Sequence, residues 1–292
     1  MNRIKIFCFG FGQVAKGFLQ KISKEKVQFD FSGTSTKPSN DIRHNDFNIK
    51  LYQFNNDSFD TDLISKLEEA KFILISIPPI NGEDIVIKKF KNVLKKANKC
   101  NWITYLSATS VYGNHNGAWV NENSNTNPTS KNGIHRLNAE NSWKEFSEKN
   151  NLPLQIFRLA GIYSNEFNIL KRLLHGNVQI VDKKNHFFSR IHVEDIANIL
   201  FESMKKFNNR ETYNICDDKP ASQNEVAAYG AKLLELEKPK PVKLDEIESE
   251  MLKNFYKDSK KVDNKKMKSF FNYKLKYPTY EEGLNYIFNN IV

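Results

Sequence analysis

Two rhythms of apolar residues alternate along the chain. Compact apolar runs at 4–9, 72–77, 102–107 and 154–159 end at glycine, proline or small polar residues. Between them, apolar residues recur three and four positions apart. Examples are Val14, Phe18, Leu19 and Ile22, then Leu63, Ile64 and Leu67, then the amphipathic stretch 84–97. The runs read as buried strands and the spaced segments as helices, so their alternation predicts an α/β fold with a doubly wound parallel sheet. Strands at 27–33 and 51–54 and helices at 134–148, 193–206 and 223–236 extend the pattern. The polar stretch 121–132 predicts a loop at the carboxyl edge of the sheet. Residues 1–163 form the expected first domain. Within 164–292, about 187–217 completes the sheet and the rest builds a smaller mixed lobe.

The first strand runs directly into Gly10-Phe11-Gly12-Gln13-Val14-Ala15 and then into a helix. Gly10 suits a tight turn, Gly12 lets the backbone approach a pyrophosphate, and the helix start offers free N–H groups. Ala15 stands where a third glycine is common. This strand–turn–helix context predicts a dinucleotide-binding turn.

Composition narrows the picture further. The 292 residues carry a net charge of +10, with 44 Lys and Arg against 34 Asp and Glu. The lysines are interleaved with acids and asparagines, so compositional bias is preferred over a nucleic-acid patch. The dense stretch 257–276 lacks the aromatic platforms of nucleic-acid modules. The three cysteines, Cys8, Cys100 and Cys216, have neither metal-ligand nor disulfide spacing, and Cys8 reads as a core residue. No apolar run is long enough to span a bilayer, and Met1-Asn2-Arg3-Ile4 leads into a strand rather than a signal peptide. The expectation is a cytoplasmic protein with no metal and no membrane partner.

Four later motifs accompany the glycine turn. They are Leu106-Ser107-Ala108-Thr109-Ser110-Val111-Tyr112-Gly113, Arg158-Leu159-Ala160-Gly161-Ile162-Tyr163, Ser189-Arg190-Ile191-His192-Val193-Glu194-Asp195-Ile196 and Tyr213-Asn214-Ile215-Cys216-Asp217-Asp218. In this order the chain resembles the extended short-chain dehydrogenase/reductase superfamily, of the epimerase/dehydratase kind. Ser76-Ile77-Pro78-Pro79 and Tyr277-Pro278-Thr279-Tyr280-Glu281-Glu282-Gly283-Leu284 are more similar to an atypical branch of it. The resemblance implies a Rossmann domain with a nicotinamide cofactor across the strand ends and substrate held against the C-terminal lobe. It implies cofactor contacts from Gly10, Phe11, Gly12, Gln13, Val14, Ile77, Pro78, Pro79, Ser107, Arg136, Ala160 and Gly161. Substrate contacts follow from Ala108, Thr109, Asn132, Tyr163 and Arg190. It also implies a homodimer through the helices at 84–97 and 134–148.

The superfamily's catalytic trio is a Ser or Thr three residues before the Val of Val-Tyr-Gly, then Tyr-x-x-x-Lys on the next helix. Those positions here are Ala108, Asn132 and Arg136. Alanine has no hydroxyl, asparagine has no proton to exchange near neutrality, and arginine stays protonated. The replacements considered are His135, Ser107 and Thr109. The reading is therefore an oxidoreductase or epimerase/dehydratase acting on a small polar or nucleotide-linked carbohydrate. The alternative is an inactive NADP-dependent redox sensor. The second strand ends in Thr34-Ser35-Thr36-Lys37, with Asp30 too early to meet a ribose. Hydroxyls with a cation and no carboxylate favour NADP(H) over NAD(H). Asp195 is expected to start the helix near Val193, and His192 to be structural.

Overall fold

The computed structural model describes residues 3–44, 47–176, 178–181, 183, 185–248, 253 and 256–291, so the leader reading at Met1 and Asn2 falls outside it. Along the chain the elements are β1 (Ile4–Phe9), α1 (Gln13–Ser23), β2 (Phe29–Ser35), β3 (Asn40–His44), β4 (Phe47–Gln53), α2 (Leu63–Glu69), β5 (Phe72–Ile75), α3 (Ile85–Leu94) and β6 (Trp102–Ala108). A 3₁₀ turn at Thr109–Tyr112 leads to β7 (Trp119–Val120), α4 (Lys131–Asn150), β8 (Leu154–Leu159), β9 (Gly161–Tyr163), α5 (Ile169–Leu174), β10 (Arg190–His192) and α6 (Val193–Lys205). Then follow β11 (Thr212–Ile215), α7 (Gln223–Leu233), β12 (Lys261–Val262), α8 (Lys265–Phe271) and α9 (Tyr280–Ile291).

The main sheet has eight strands in the order β11-β8-β6-β5-β1-β2-β4-β3. Starting at β1, the order reverses direction between β2 and β5, the switch point of a Rossmann sheet. The pairs β1–β2, β1–β5, β2–β4 and β5–β6 are parallel, and β3 is an antiparallel edge strand on β4. That edge strand was not expected from sequence, because Asn40-Asp41-Ile42-Arg43-His44 has one apolar residue and an exposed face. The second strand runs Phe29–Ser35, two residues later than the 27–33 expected. Helix α4 begins at Lys131, three residues before the expected start, with Gly133 inside its first turn. Gly133 is there because an added methyl would lie 2.7 Å from the Ser110 carbonyl oxygen.

The chain separates into two compact, interleaved units. The first comprises Met1–Ser107, Ile134–Phe157 and Ile196–Thr212, and the second Ala108–Gly133, Arg158–Asp195 and Tyr213–Val292. In the first, Phe7, Phe9, Phe90, Ile103 and Trp143 belong to one buried cluster. Helix α3 is started by Asp84, whose carboxylate accepts from the amides of Val86 and Ile87 at 3.0 Å and from Trp143 Nε1 at 2.8 Å. Burial pushes the Asp84 carboxyl up despite these donors.

The second unit has its own core, including Tyr163, Leu170, Leu173, Val226, Tyr280 and Leu284. Two small parallel pairs, β9–β10 and β7–β12, stiffen it. Asp195 lies in the first turn of α6, where an acid suits the start of the helix, and its carboxylate also receives the Tyr273 hydroxyl and the amides of Lys276 and Tyr277. The side chain thus pins the approach to α9, an arrangement that local sequence does not encode. His192 is buried between Tyr163 and Tyr277, with ring centroids 5.1 and 4.3 Å away.

Candidate functional site

At the end of β1, Gly10 adopts φ +90°, and a methyl there would sit 2.7 Å from Ile77 Cγ2. Only glycine fits this turn. The Gly10 amide donates to Thr34 Oγ1 at 2.9 Å. Gly12, the N-cap of α1, is exposed, and an added methyl would meet no atom within 4 Å. Val14 and Ala15 are buried and seat α1, whose first turn holds no acidic residue. Gln13 Oε1 is buried there without a hydrogen-bond partner. Phe11 packs its ring against Phe31 at 6.0 Å and His44 at 5.8 Å. An open cradle, an unpaired polar atom and amides at a helix start fit a diphosphate.

At the carboxyl end of β2, Ser35 is half-buried while Thr36 and Lys37 are exposed. Thr34 is 1 % exposed and its hydroxyl accepts from Gly10, so it holds the turn in shape rather than facing a ligand. Asp30 lies inside β2, opposite Lys5 in β1 and 3.9 Å from Lys66 Nζ. Arg43 pairs with Asn48, level with the start of β2, and does not join the strand-end cluster. A carboxylate does stand behind that cluster: Asp60 accepts from Ser39 Oγ at 2.5 Å. Beyond β5, Ile77 packs on Gly10, and Pro78 and Pro79 follow in the same loop, Pro78 exposed and Pro79 half-buried.

The trio positions and their proposed replacements separate clearly. Ser107 is 3 % exposed and donates at 2.5 Å to Glu140, which is fully buried. The Ser107 proton is thus committed to Glu140. Arg136 Nη1 donates to the Leu106 carbonyl at 3.0 Å and the Tyr105 hydroxyl at 3.3 Å, fixing it on β6. His135 packs over the turn at Gly82, where an added methyl would lie 3.3 Å from its ring.

Within the second unit lies a cavity of about 1100 Å³. Thr109, Asn132, Gly161, Tyr163 and Arg190 line it, so the structure brings these five predicted residues together. Ala108 is not among the lining residues, and Ala160 is buried with its amide donating to Ile215. Tyr163 presents its ring only. A methyl on Gly283 would stand 2.0 Å from the phenol oxygen, so the hydroxyl points at α9 and is buried without a partner. Arg190 donates to the carbonyls of Phe188 and Ala221 and to Gln223 Oε1. Ile162, Val226 and Leu284 give the cavity an apolar wall.

Sequence reasoning missed Lys131, Lys171, Arg172 and Lys260, which with Arg190 set five cations against Glu166 and Asp258 in the lining. The apolar alternation around Val262 is a weak strand signal, and nothing local marks Lys260 as cavity-facing. The lysine-rich stretch is largely committed inside this unit. Lys268 pairs with Asp218 at 2.9 Å, Lys276 with Glu194 at 2.6 Å, and Lys261 lies 4.2 Å from the Phe187 ring centre. Among the described residues there is no helix long and apolar enough to cross a membrane and no cluster of metal-ligating side chains.

Residues 84–216 match the model of the NAD dependent epimerase/dehydratase family. No curated protein matches the chain. A functionally unknown conserved protein from Silicibacter pomeroyi is 31 % identical, with 98 % of each chain covered and a TM-score of 0.83. The fold is also that of UDP-N-acetylglucosamine 4-epimerase from Bacillus cereus, at 17 % identity, 99 % of both chains and TM-score 0.75. It is likewise that of dTDP-glucose 4,6-dehydratase from Bacillus anthracis, solved with NAD, at 16 % identity, 98 % and 96 % coverage and TM-score 0.78. Residues 84–216 are thus similar to the NAD-dependent epimerase/dehydratase family, and the chain as a whole has the fold of such enzymes.

Proposed function

We propose that the chain binds a nicotinamide dinucleotide at the glycine turn and acts as an oxidoreductase or epimerase/dehydratase on a small polar or nucleotide-linked carbohydrate. The observation that carries this is the open face at Gly12 beside the unpaired Gln13 Oε1. When bound, the cofactor supplies a hydride acceptor and donor. Gly12 and the first amides of α1 hold its diphosphate, and Thr34 keeps Gly10 in its left-handed conformation. In the second unit, the five cations favour an anionic group on the substrate, while the apolar wall takes a ring face. The similar epimerase and dehydratase are named for nucleotide sugars.

NADP(H) is the preferred form, because Ser35, Thr36 and Lys37 end β2 without a carboxylate of their own. Asp60 is the group that would favour NAD(H) instead. Titration with NADPH and NADH, followed by fluorescence, separates them: tighter NADPH binding supports the reading, and equal or reversed affinities overturn it. The redox-sensor alternative draws support from the engagement of Ser107 and Arg136 within the fold. Turnover of any nucleotide sugar by the saturated protein eliminates it. A homodimer through α3 and α4 stays part of the reading: their exposed residues include Lys88, Lys91, Asn138, Asn141 and Lys144, with Ile134 exposed among them.

A further inference from the structure

The second unit's cavity takes part of its lining from the segment just before β12. Lys260 and Asp258 stand there, and each side chain is 11 % exposed. The Lys260 amine donates to the Gly113 carbonyl at 2.9 Å, at the end of the 3₁₀ turn that follows β6. Asp258 Oδ2 is 3.8 Å from the amine, too far for a hydrogen bond, while Asp258 Oδ1 accepts from Thr129 Oγ1 at 2.9 Å. One carbonyl therefore holds the amine, and the rest of the nitrogen is free to meet a ligand in the cavity. Burial lowers this amine from its usual range, with Asp258 opposing the shift. Exposed Lys149 is moved the other way by Glu145. A lysine that served only to bind an anion would gain nothing from desolvation of its charge, and the carboxylate beside it would compete with that anion. A desolvated amine near further cations is instead the setting of a nucleophilic lysine.

We propose that Lys260 forms an imine with a carbonyl compound that carries an anionic group and occupies this cavity. Lys131 at the start of α4, with Lys171 and Arg172 in α5, supplies the charge that draws the anionic group. Ile162, Val226 and Leu284 receive the apolar body of the ligand. Neutral Nζ adds to the carbonyl carbon, so that a C–N bond forms and the oxygen becomes a hydroxyl. That hydroxyl leaves as water, the C–O bond breaks and C=N remains. Both hydrogens of the amine depart in the water, and nothing is oxidised or reduced. The imine nitrogen then takes a proton from solvent. Its N–H replaces that of the amine on the Gly113 carbonyl, and the Asp258 carboxylate offsets the new charge. Every group in this step belongs to the second unit, and no nicotinamide takes part.

The test is incubation of the intact protein with pyridoxal 5′-phosphate, an aldehyde that carries an anionic group, at neutral pH. Imine absorbance is followed, and the adduct is then reduced with borohydride and mapped by peptide mass spectrometry. Lys260 is expected to be labelled at reagent concentrations at least ~10-fold below those that label exposed Lys149. Lys260→Met and Lys260→Arg, each checked by Tm, are expected to lose the absorbance that appears at those low concentrations. Labelling spread over the surface lysines at the same concentrations, or a Lys260 that reacts only after unfolding, overturns the proposal. Undiminished absorbance in either folded variant does the same. If neither variant folds, the wild-type peptide map decides alone. Pyridoxal, which lacks the phosphate, is expected to label Lys260 about 5–10-fold less readily, and equal labelling overturns the anionic requirement. These outcomes do not depend on whether the protein binds NADPH, so the imine and the dinucleotide reading fail or stand separately.

Discussion

The glycine turn and the cavity draw their residues from the chain in opposite ways. Gly10, Gly12 and Gln13 fall within four consecutive residues, joined by Thr34 from β2 and Ile77 from the loop after β5. The cavity gathers Thr109, Asn132, Tyr163, Arg172, Arg190 and Lys260 from six separate segments. A phosphate-binding turn is a backbone device, so its sequence must carry glycine wherever the main chain bends or approaches a ligand. A substrate cavity is a side-chain device, and its lining obeys only tertiary packing. The first kind of site is therefore readable locally and the second is not.

Glycines test this contrast most severely. Gly113 has φ +71°, and a methyl there would lie 1.9 Å from the Asn127 carbonyl oxygen. Gly113→Ala is expected to collapse the second unit, read as a loss of soluble protein or of a cooperative melt. At Gly12 a side chain has room, so Gly12→Asp should leave Tm unchanged while weakening dinucleotide binding at least ~100-fold through repulsion of the diphosphate. A Gly12→Asp protein that melts early would assign this glycine to packing and erase the difference.

Smaller effects sharpen the comparison. Asp84→Ala removes the α3 cap and leaves Trp143 Nε1 buried without its acceptor, for an expected loss of about 2–4 kcal/mol in denaturant unfolding. Dinucleotide affinity of the folded fraction should not change, since Asp84 supports the first unit's core rather than the turn. Arg172→Ala, on the exposed rim of the cavity, should weaken an anionic nucleotide sugar about 5–10-fold and reduce the salt dependence of its binding. Unchanged affinity would remove the rim from the site.

Acid tests the second unit separately. Burial holds His186 and His192 down at about 4, from an ordinary 6.5. Their folded forms are neutral, so their contribution is intact above about pH 6.5 and is lost as pH falls toward about 4. A double His186→Gln, His192→Gln variant should show a flatter decline in Tm across that window. An identical slope would place the acid sensitivity elsewhere.

The same division explains what sequence reveals about the fold. Continuous apolar runs such as Phe72–Ile75 declare buried parallel strands, and the spacing of Val14, Phe18, Leu19 and Ile22 declares α1. The edge strand β3 escapes because its stability comes from pairing with β4 rather than from its own composition. Thr34 and Ser107 look like ligand-facing hydroxyls in sequence. In the structure the first closes the glycine turn and the second serves a buried glutamate. Asp195 reads as a helix-starting acid, stands in the first turn of α6, and also anchors residues near 276. In each case the side chain's chemistry is legible while its partner, tens of residues away, is not.

The most direct test of the account is a fluorescence titration of wild-type protein and Gly12→Asp with NADPH and NADH, with Tm recorded for both proteins. The wild type is expected to bind saturably, more tightly to NADPH, and Gly12→Asp to lose that binding at unchanged Tm. Failure of the wild type to bind either dinucleotide, or undiminished binding to Gly12→Asp, would contradict it.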